Sequence, residues 1–152
     1  MSMKTSQPIL LIEDSDDDYE ATLRALKKGG NLANPVFRCE HGEEAMDFLM
    51  AKGEFEDRKD APKPGIILLD LNLPGKDGKK ILSEIRADPS THHIPVIILT
   101  TSDNEKDVEE CYVLGANTFI QKPVKLDSFM DAINHLKEYW LEVAILPKGG
   151  GA

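Results

Sequence analysis

The 152-residue chain has the length of one domain, enough to bury an apolar core without disulfide or metal staples. At 41% apolar and 30% charged it has the composition of a globular protein, and a formal charge of −9 argues against a nucleic-acid surface and against docking on an anionic membrane. Cys39 and Cys111 have neither metal nor redox spacing, no apolar run suits a signal peptide or a bilayer span, and a cytoplasmic location is expected.

The first apolar run, Ile9-Leu10-Leu11-Ile12, is too short for a globular helix and lacks polar alternation. It has the pattern of a strand covered by helices on both faces. Ser15 to Lys28 predicts a helix with an N-cap and an acidic first turn, ended by Gly29-Gly30. Val36 to Cys39 is a weaker strand. Glu43 to Lys52 predicts a helix with Ala45, Phe48 and Leu49 on one face, and Glu54 to Pro64 reads as a charged, proline-bearing loop. Ile66 to Leu69 repeats the buried-strand pattern. A helix over Asp77 to Ala87 groups Ile81, Leu82 and Ile85. Val96 to Leu99 is the next buried strand, and Asp103 to Leu114 predicts a helix carrying Val108, Cys111 and Tyr112, stopping at Gly115. Thr118 to Gln121 is a last, weaker strand. The final helix runs from about Leu126 past Trp140 on a stripe near the 3.6 period.

Five βα units in sequence give an α/β fold, a doubly wound parallel sheet with helices on both sides. Ligands of such sheets bind at the carboxyl ends of the strands. Those ends deliver Glu13 and Asp14, then Asp70, then Thr100, then Lys122. Any one of them has an ordinary explanation as a helix cap, a turn residue, a strand end or a surface lysine. Their joint placement at one edge of the sheet is what singles them out. Three carboxylates in one pocket repel, and oxygen ligands without histidine or cysteine suit a hard divalent ion such as Mg²⁺. Such an ion takes one or two carboxylates and leaves room for phosphate oxygens. A carboxylate can act as nucleophile and form an aspartyl-phosphate, with Lys122 and the Thr100 hydroxyl donating to phosphate oxygens and the Asn72 carbonyl facing the metal. His41, His92, His93 and His135 are scattered and read as surface residues. No Walker-type loop, G-x-G-x-x-G or G-x-S-x-G motif is present.

The segments Ile9 to Asp14, Leu68 to Gly78, Ile98 to Ser102 and Lys122-Pro123 resemble the receiver domain of two-component response regulators, the CheY-like fold. The resemblance covers nearly the whole chain. It implies a flavodoxin-like sheet in the order 2-1-3-4-5, with residues 1–8 as an N-terminal tail, 9–146 as the receiver with an extended C-terminal helix, and 147–152 as a tail. It implies Asp70 as phosphoacceptor, and Mg²⁺ (Mn²⁺ or Ca²⁺ substituting) held by Glu13, Asp14, Asp70 and the Asn72 carbonyl. Thr100 is then the switch hydroxyl, Lys122 the phosphate-contacting lysine, and Phe119 the switch aromatic. The Lys122-Pro123 bond is expected to be cis. The partner implied is a sensor histidine kinase, and the protein acts as a phosphoacceptor switch that assists its own phosphotransfer and dephosphorylation, not as a turnover enzyme.

The loop before the third strand, the Leu-Asn-Leu-Pro-Gly-Lys-Asp-Gly run and the Tyr-Trp-Leu of the last helix are similar to the small response regulators of bacterial and cyanobacterial phytochromes. That resemblance implies a light-sensing kinase upstream. Tyr139, Leu141, Val143, Ile145 and Leu146 exceed what one helix face can bury against a sheet, so a homodimer through the last helix is expected. Two other readings meet specific objections. A haloacid-dehalogenase-type phosphohydrolase needs an aspartate two residues after the nucleophile, where this chain has Asn72. A scaffold without phosphorylation leaves the acidic set and Lys122 without a use.

Overall fold

The computed structural model describes residues 7–27, 34–71, 73, 78–100 and 105–121, with Ala25 and the last four by backbone alone. The strands are β1 (Ile9–Ile12), β2 (Val36–Cys39), β3 (Ile66–Leu69), β4 (Val96–Thr100) and β5 (Thr118–Gln121). Between them lie α1 (Asp16–Lys27), α2 (Gly42–Met50), α3 (Gly78–Ala87) and α4 (Glu105–Val113). All strand pairs are parallel, in the order β2-β1-β3-β4-β5, as the resemblance implied. The expected last helix, the Lys122-Pro123 bond and both tails lie outside the described residues, apart from Gln7 and Pro8.

The apolar runs become the three inner strands because each is covered on both faces. Every residue of β1, β3 and β4 is buried. At about 1.5–3 kcal/mol per buried aliphatic side chain, these twelve-odd positions are the main apolar stabilisation of the sheet. One face packs Leu10, Ile12, Ile67, Leu69 and Ile98 against Phe48 and Leu49 of α2 and Ile81, Leu82 and Ile85 of α3. Both cysteines are free and buried, and burial, with Glu44 and Glu54 nearby, pushes the Cys39 thiol up to about 12.

Two local expectations need correction. The helix read as Glu43 to Lys52 ends at Met50, because Ala51 turns left-handed at φ 54° while the Lys52 N–H donates to the Asp47 carbonyl at 2.9 Å. The charged loop begins as a 3₁₀ helix, Gly53–Arg58. Its Phe55 packs edge-on to Phe48 at 5.2 Å, and Arg58 stacks over the rings of Phe37 and Phe48. Of the three apolar residues that the sequence placed on the fourth helix, Cys111 takes the buried position, Val108 is half-buried and Tyr112 is 48% exposed.

Candidate functional site

β1 and β3 lie side by side in matched register, Ile12 opposite Leu69. The residues that follow therefore leave the sheet together. The Asp70 N–H donates to the Ile12 carbonyl at 3.0 Å, and the Glu13 N–H donates across the other edge of β1 to the Cys39 carbonyl at 2.9 Å. A carboxylate oxygen each from Glu13, Asp14 and Asp70 lies within 4.8 Å of the other two. Glu13 and Asp70 are buried and Asp14 is exposed, so the cluster opens to solvent on the Asp14 side. Two unit charges about 5 Å apart repel by about 3 kcal/mol at an effective dielectric near 20. Three acids so close, two of them in a low-dielectric setting, are offset most simply by a cation. The all-oxygen donor set fits a hard divalent one.

The start of α1 completes one wall. Ser15 caps the helix, its Oγ accepting from the Asp18 N–H at 3.3 Å, and its own N–H donates to Glu13 Oε2 at 3.3 Å. That bond fixes one carboxylate oxygen of Glu13 against the positive end of the helix. The start of α3 forms the opposite wall. Gly78 donates its N–H to the Leu71 carbonyl at 3.2 Å, and a Cβ at this position would sit 2.6 Å from the Leu71 Cα and 2.7 Å from the Asp70 carbonyl oxygen. Only glycine lets α3 begin so close behind Asp70.

Thr100 ends β4 fully buried, at the same edge of the sheet. The register that sets Leu69 opposite Ile98 puts it one residue further out than Asp70. Phe119 lies in β5 opposite Ile98, and its side chain is outside the described residues, as are Asn72 and Lys122. The structure thus brings Glu13, Asp14 and Asp70 into one cluster, with Thr100 on the strand beyond. Sequence reasoning missed Gly78, whose signal was the Asp-Gly that opens the helix, and Arg38, whose side chain reaches from β2 to the β1–α1 turn.

A profile of the response regulator receiver domain matches residues 9–134. The chain belongs to that family. The receiver is 39% identical to the response regulator Rcp1 of Synechocystis sp. over 149 residues, 97% of this chain and 99% of that protein. Among solved structures, the phosphorylated cyanobacterial phytochrome response regulator RcpA superposes with a TM-score of 0.87 at 38% identity, covering 93% of this receiver and 99% of that chain. The Mn²⁺-bound form of Rcp1 gives 0.86 at 39% identity with the same coverage. The receiver is thus a two-component signalling domain whose relatives include phytochrome response regulators. Among its described residues, no helix is long and apolar enough to cross a membrane.

Proposed function

We propose that Asp70 accepts a phosphoryl group from the phosphohistidine of a sensor histidine kinase, with Mg²⁺ held by Glu13, Asp14, Asp70 and the Asn72 carbonyl. The observation that carries this reading is the convergence of the Glu13, Asp14 and Asp70 carboxylates within 4.8 Å at the carboxyl ends of β1 and β3. An Asp70 carboxylate oxygen attacks phosphorus as the phosphorus–nitrogen bond breaks, and the imidazole leaves with the bonding pair and takes up a proton. When bound, Mg²⁺ neutralises charge on the phosphoryl oxygens, and Mn²⁺ or Ca²⁺ can substitute for it. The buried carboxylates of Glu13 and Asp70 stay in place through the reaction because backbone hydrogen bonds anchor their residues to neighbouring strands. Thr100 donates its hydroxyl to one phosphoryl oxygen and Lys122 its ammonium to another.

The product carries about two negative charges at pH 7 where one stood before. Thr100 turns toward it, Phe119 fills the space left, and the change is read by a partner protein. The receiver is a switch in this account, not a turnover enzyme, and works in the cytoplasm. The similarity to Rcp1 and RcpA supports a light-sensing, phytochrome-type kinase upstream, and the surplus apolar residues of the C-terminal segment, Tyr139 to Leu146, support a homodimer. Phosphotransfer from such a kinase to the wild type and to Asp70→Asn tests the central assignment. The wild type should take up label only with divalent metal present, and the variant should take up none. Stable labelling of Asp70→Asn would overturn it.

A further inference from the structure

We infer that Arg38 is a positioning residue for the acidic cluster, acting through the peptide that joins Glu13 to Asp14; the inference rests on the metal-binding role proposed above for those acids. Arg38 sits on β2, opposite Leu11 of β1. Its neighbours Phe37 and Cys39 pack with the α2 side of the sheet, so Arg38 alternates onto the α1 side. There its guanidinium lies over the Tyr19 ring at 4.5 Å. From that platform Nε donates to the Glu13 carbonyl at 3.0 Å, Nη1 pairs with Asp16 at 2.8 Å, and Nη2 lies 3.3 Å from Glu40.

The Glu13 carbonyl belongs to the same rigid plane as the Asp14 N–H and Cα. Holding that oxygen therefore sets the direction in which the chain enters Asp14. The preceding peptide is held by backbone, through the Glu13 N–H on the Cys39 carbonyl. The following one is held to β2 by the Arg38 side chain. Asp14 itself is exposed at the mouth of the cluster, so its placement depends on its backbone more than on packing around its side chain. The Tyr19 ring beneath and the two carboxylates beside the guanidinium keep it in one orientation. A planar fork holds the carbonyl through Nε and pairs with Asp16 through Nη1 at once, with Glu40 at ion-pair distance from an Nη2 that makes no hydrogen bond, and a compact ammonium cannot span these groups.

A positioning role and a mere charge role predict opposite signs. If Arg38 acts only as a nearby cation, removing it relieves repulsion and tightens divalent-metal binding. If it positions Asp14, removing it weakens binding, as loss of partners behind metal ligands does by about 10–100-fold. The experiment is a Mn²⁺ titration of the full chain followed by electron paramagnetic resonance of the free ion, on wild type, Arg38→Met, Arg38→Lys and Asp14→Asn. The expected result is Mn²⁺ binding by wild type, about tenfold weaker binding by Arg38→Met, and several-fold weaker binding by Arg38→Lys despite the retained charge. Phosphotransfer to both Arg38 variants should recover at saturating Mg²⁺, which a general loss of structure would not permit. Circular dichroism of the metal-free proteins reports folding, and Arg38→Lys decides the matter if Arg38→Met does not fold. Tighter binding by Arg38→Met, or wild-type affinity in Arg38→Lys, overturns the positioning role and leaves the metal site standing. Absence of binding in the wild type, with Asp14→Asn no different, overturns the metal reading and the positioning role together.

Discussion

α3 and α4 pack side by side over the same core and are anchored in different ways. α3 buries Ile81, Leu82 and Ile85 completely in the core. α4 buries Cys111 and leaves Tyr112 at 48% and Val113 at 86% exposure. What α4 lacks in apolar burial is made up by side chains reaching across from α3. Lys79 Nζ contacts Asp107 at 2.5 Å and Glu110 at 2.7 Å. At the far end Arg86 Nε donates to the Gly115 carbonyl at 2.8 Å, and its Nη2 to Asn117 Oδ1 at 2.8 Å. An apolar anchor resists any displacement, because moving it opens a cavity. Polar tethers exchange partners with water at small net cost. α3 is therefore the fixed wall behind Asp70, and α4 is the less firmly anchored of the two helices.

The sharpest way to break this contrast is to truncate one side chain on each helix. Ile81→Ala should lower stability by about 3 kcal/mol, the range for a fully buried aliphatic. Tyr112→Ala should change it by less than about 0.5 kcal/mol, as surface substitutions do. Urea unfolding of both variants measures the difference. Equal losses would mean that α4 is anchored by its apolar face after all.

The contrast was only partly legible in the sequence. Buried parallel strands declare themselves as short unbroken aliphatic runs, so β1, β3 and β4 were readable to within a residue, and the acids at their ends with them. A helix that buries one turn of one face leaves a much weaker mark. Val108, Cys111 and Tyr112 have the spacing of an inner stripe, yet the fold uses chiefly the cysteine. The 3₁₀ helix Gly53–Arg58 offers a single aromatic and no period, and its order comes from Phe55 and Arg58 packing on rings of β2 and α2. Arg38 was hidden for a related reason. The carbonyl it holds, that of Glu13, stands 25 residues earlier in the chain, and nothing local in Phe-Arg-Cys marks a strand residue whose side chain steadies an acidic loop.

A second test removes the tether at the far end of α4. Arg86 is half-buried and makes four hydrogen bonds, also reaching the carbonyls of His92 at 2.9 Å and Ile94 at 2.7 Å. Burial holds its pKa below the usual guanidinium value, and the four acceptors are what it offers in exchange for desolvation. Arg86→Met leaves two part-buried carbonyls, of Gly115 and Ile94, without this donor and should cost about 2 kcal/mol. Amide hydrogen exchange should accelerate in α4 and in the turn through Gly115 more than in α3. Uniform acceleration across both helices would mean that the tether serves the whole domain rather than α4.

Among the polar contacts the smallest effect belongs to Lys79, and its salt dependence distinguishes a paired ammonium from a solvated one. Hydrogen bonds to Asp107 and Glu110 outweigh a small desolvation cost and raise the Lys79 pKa above the usual lysine value. A raised folded-state pKa stabilises the fold fully below the unfolded value of about 10.4, and that contribution disappears as pH rises through the folded value. Lysine titration therefore leaves the pair intact from pH 7 to about 9.5. All three side chains are partly exposed, which limits the pair to about 1 kcal/mol. Lys79→Met should lose that amount, with a gap to wild type that is constant across this pH window and shrinks in about 1 M salt. Urea midpoints at several pH values and two salt concentrations measure it. A gap that is absent across this window, or that salt leaves unchanged, would mean that the Lys79 ammonium does not tie α3 to α4 through Asp107 and Glu110.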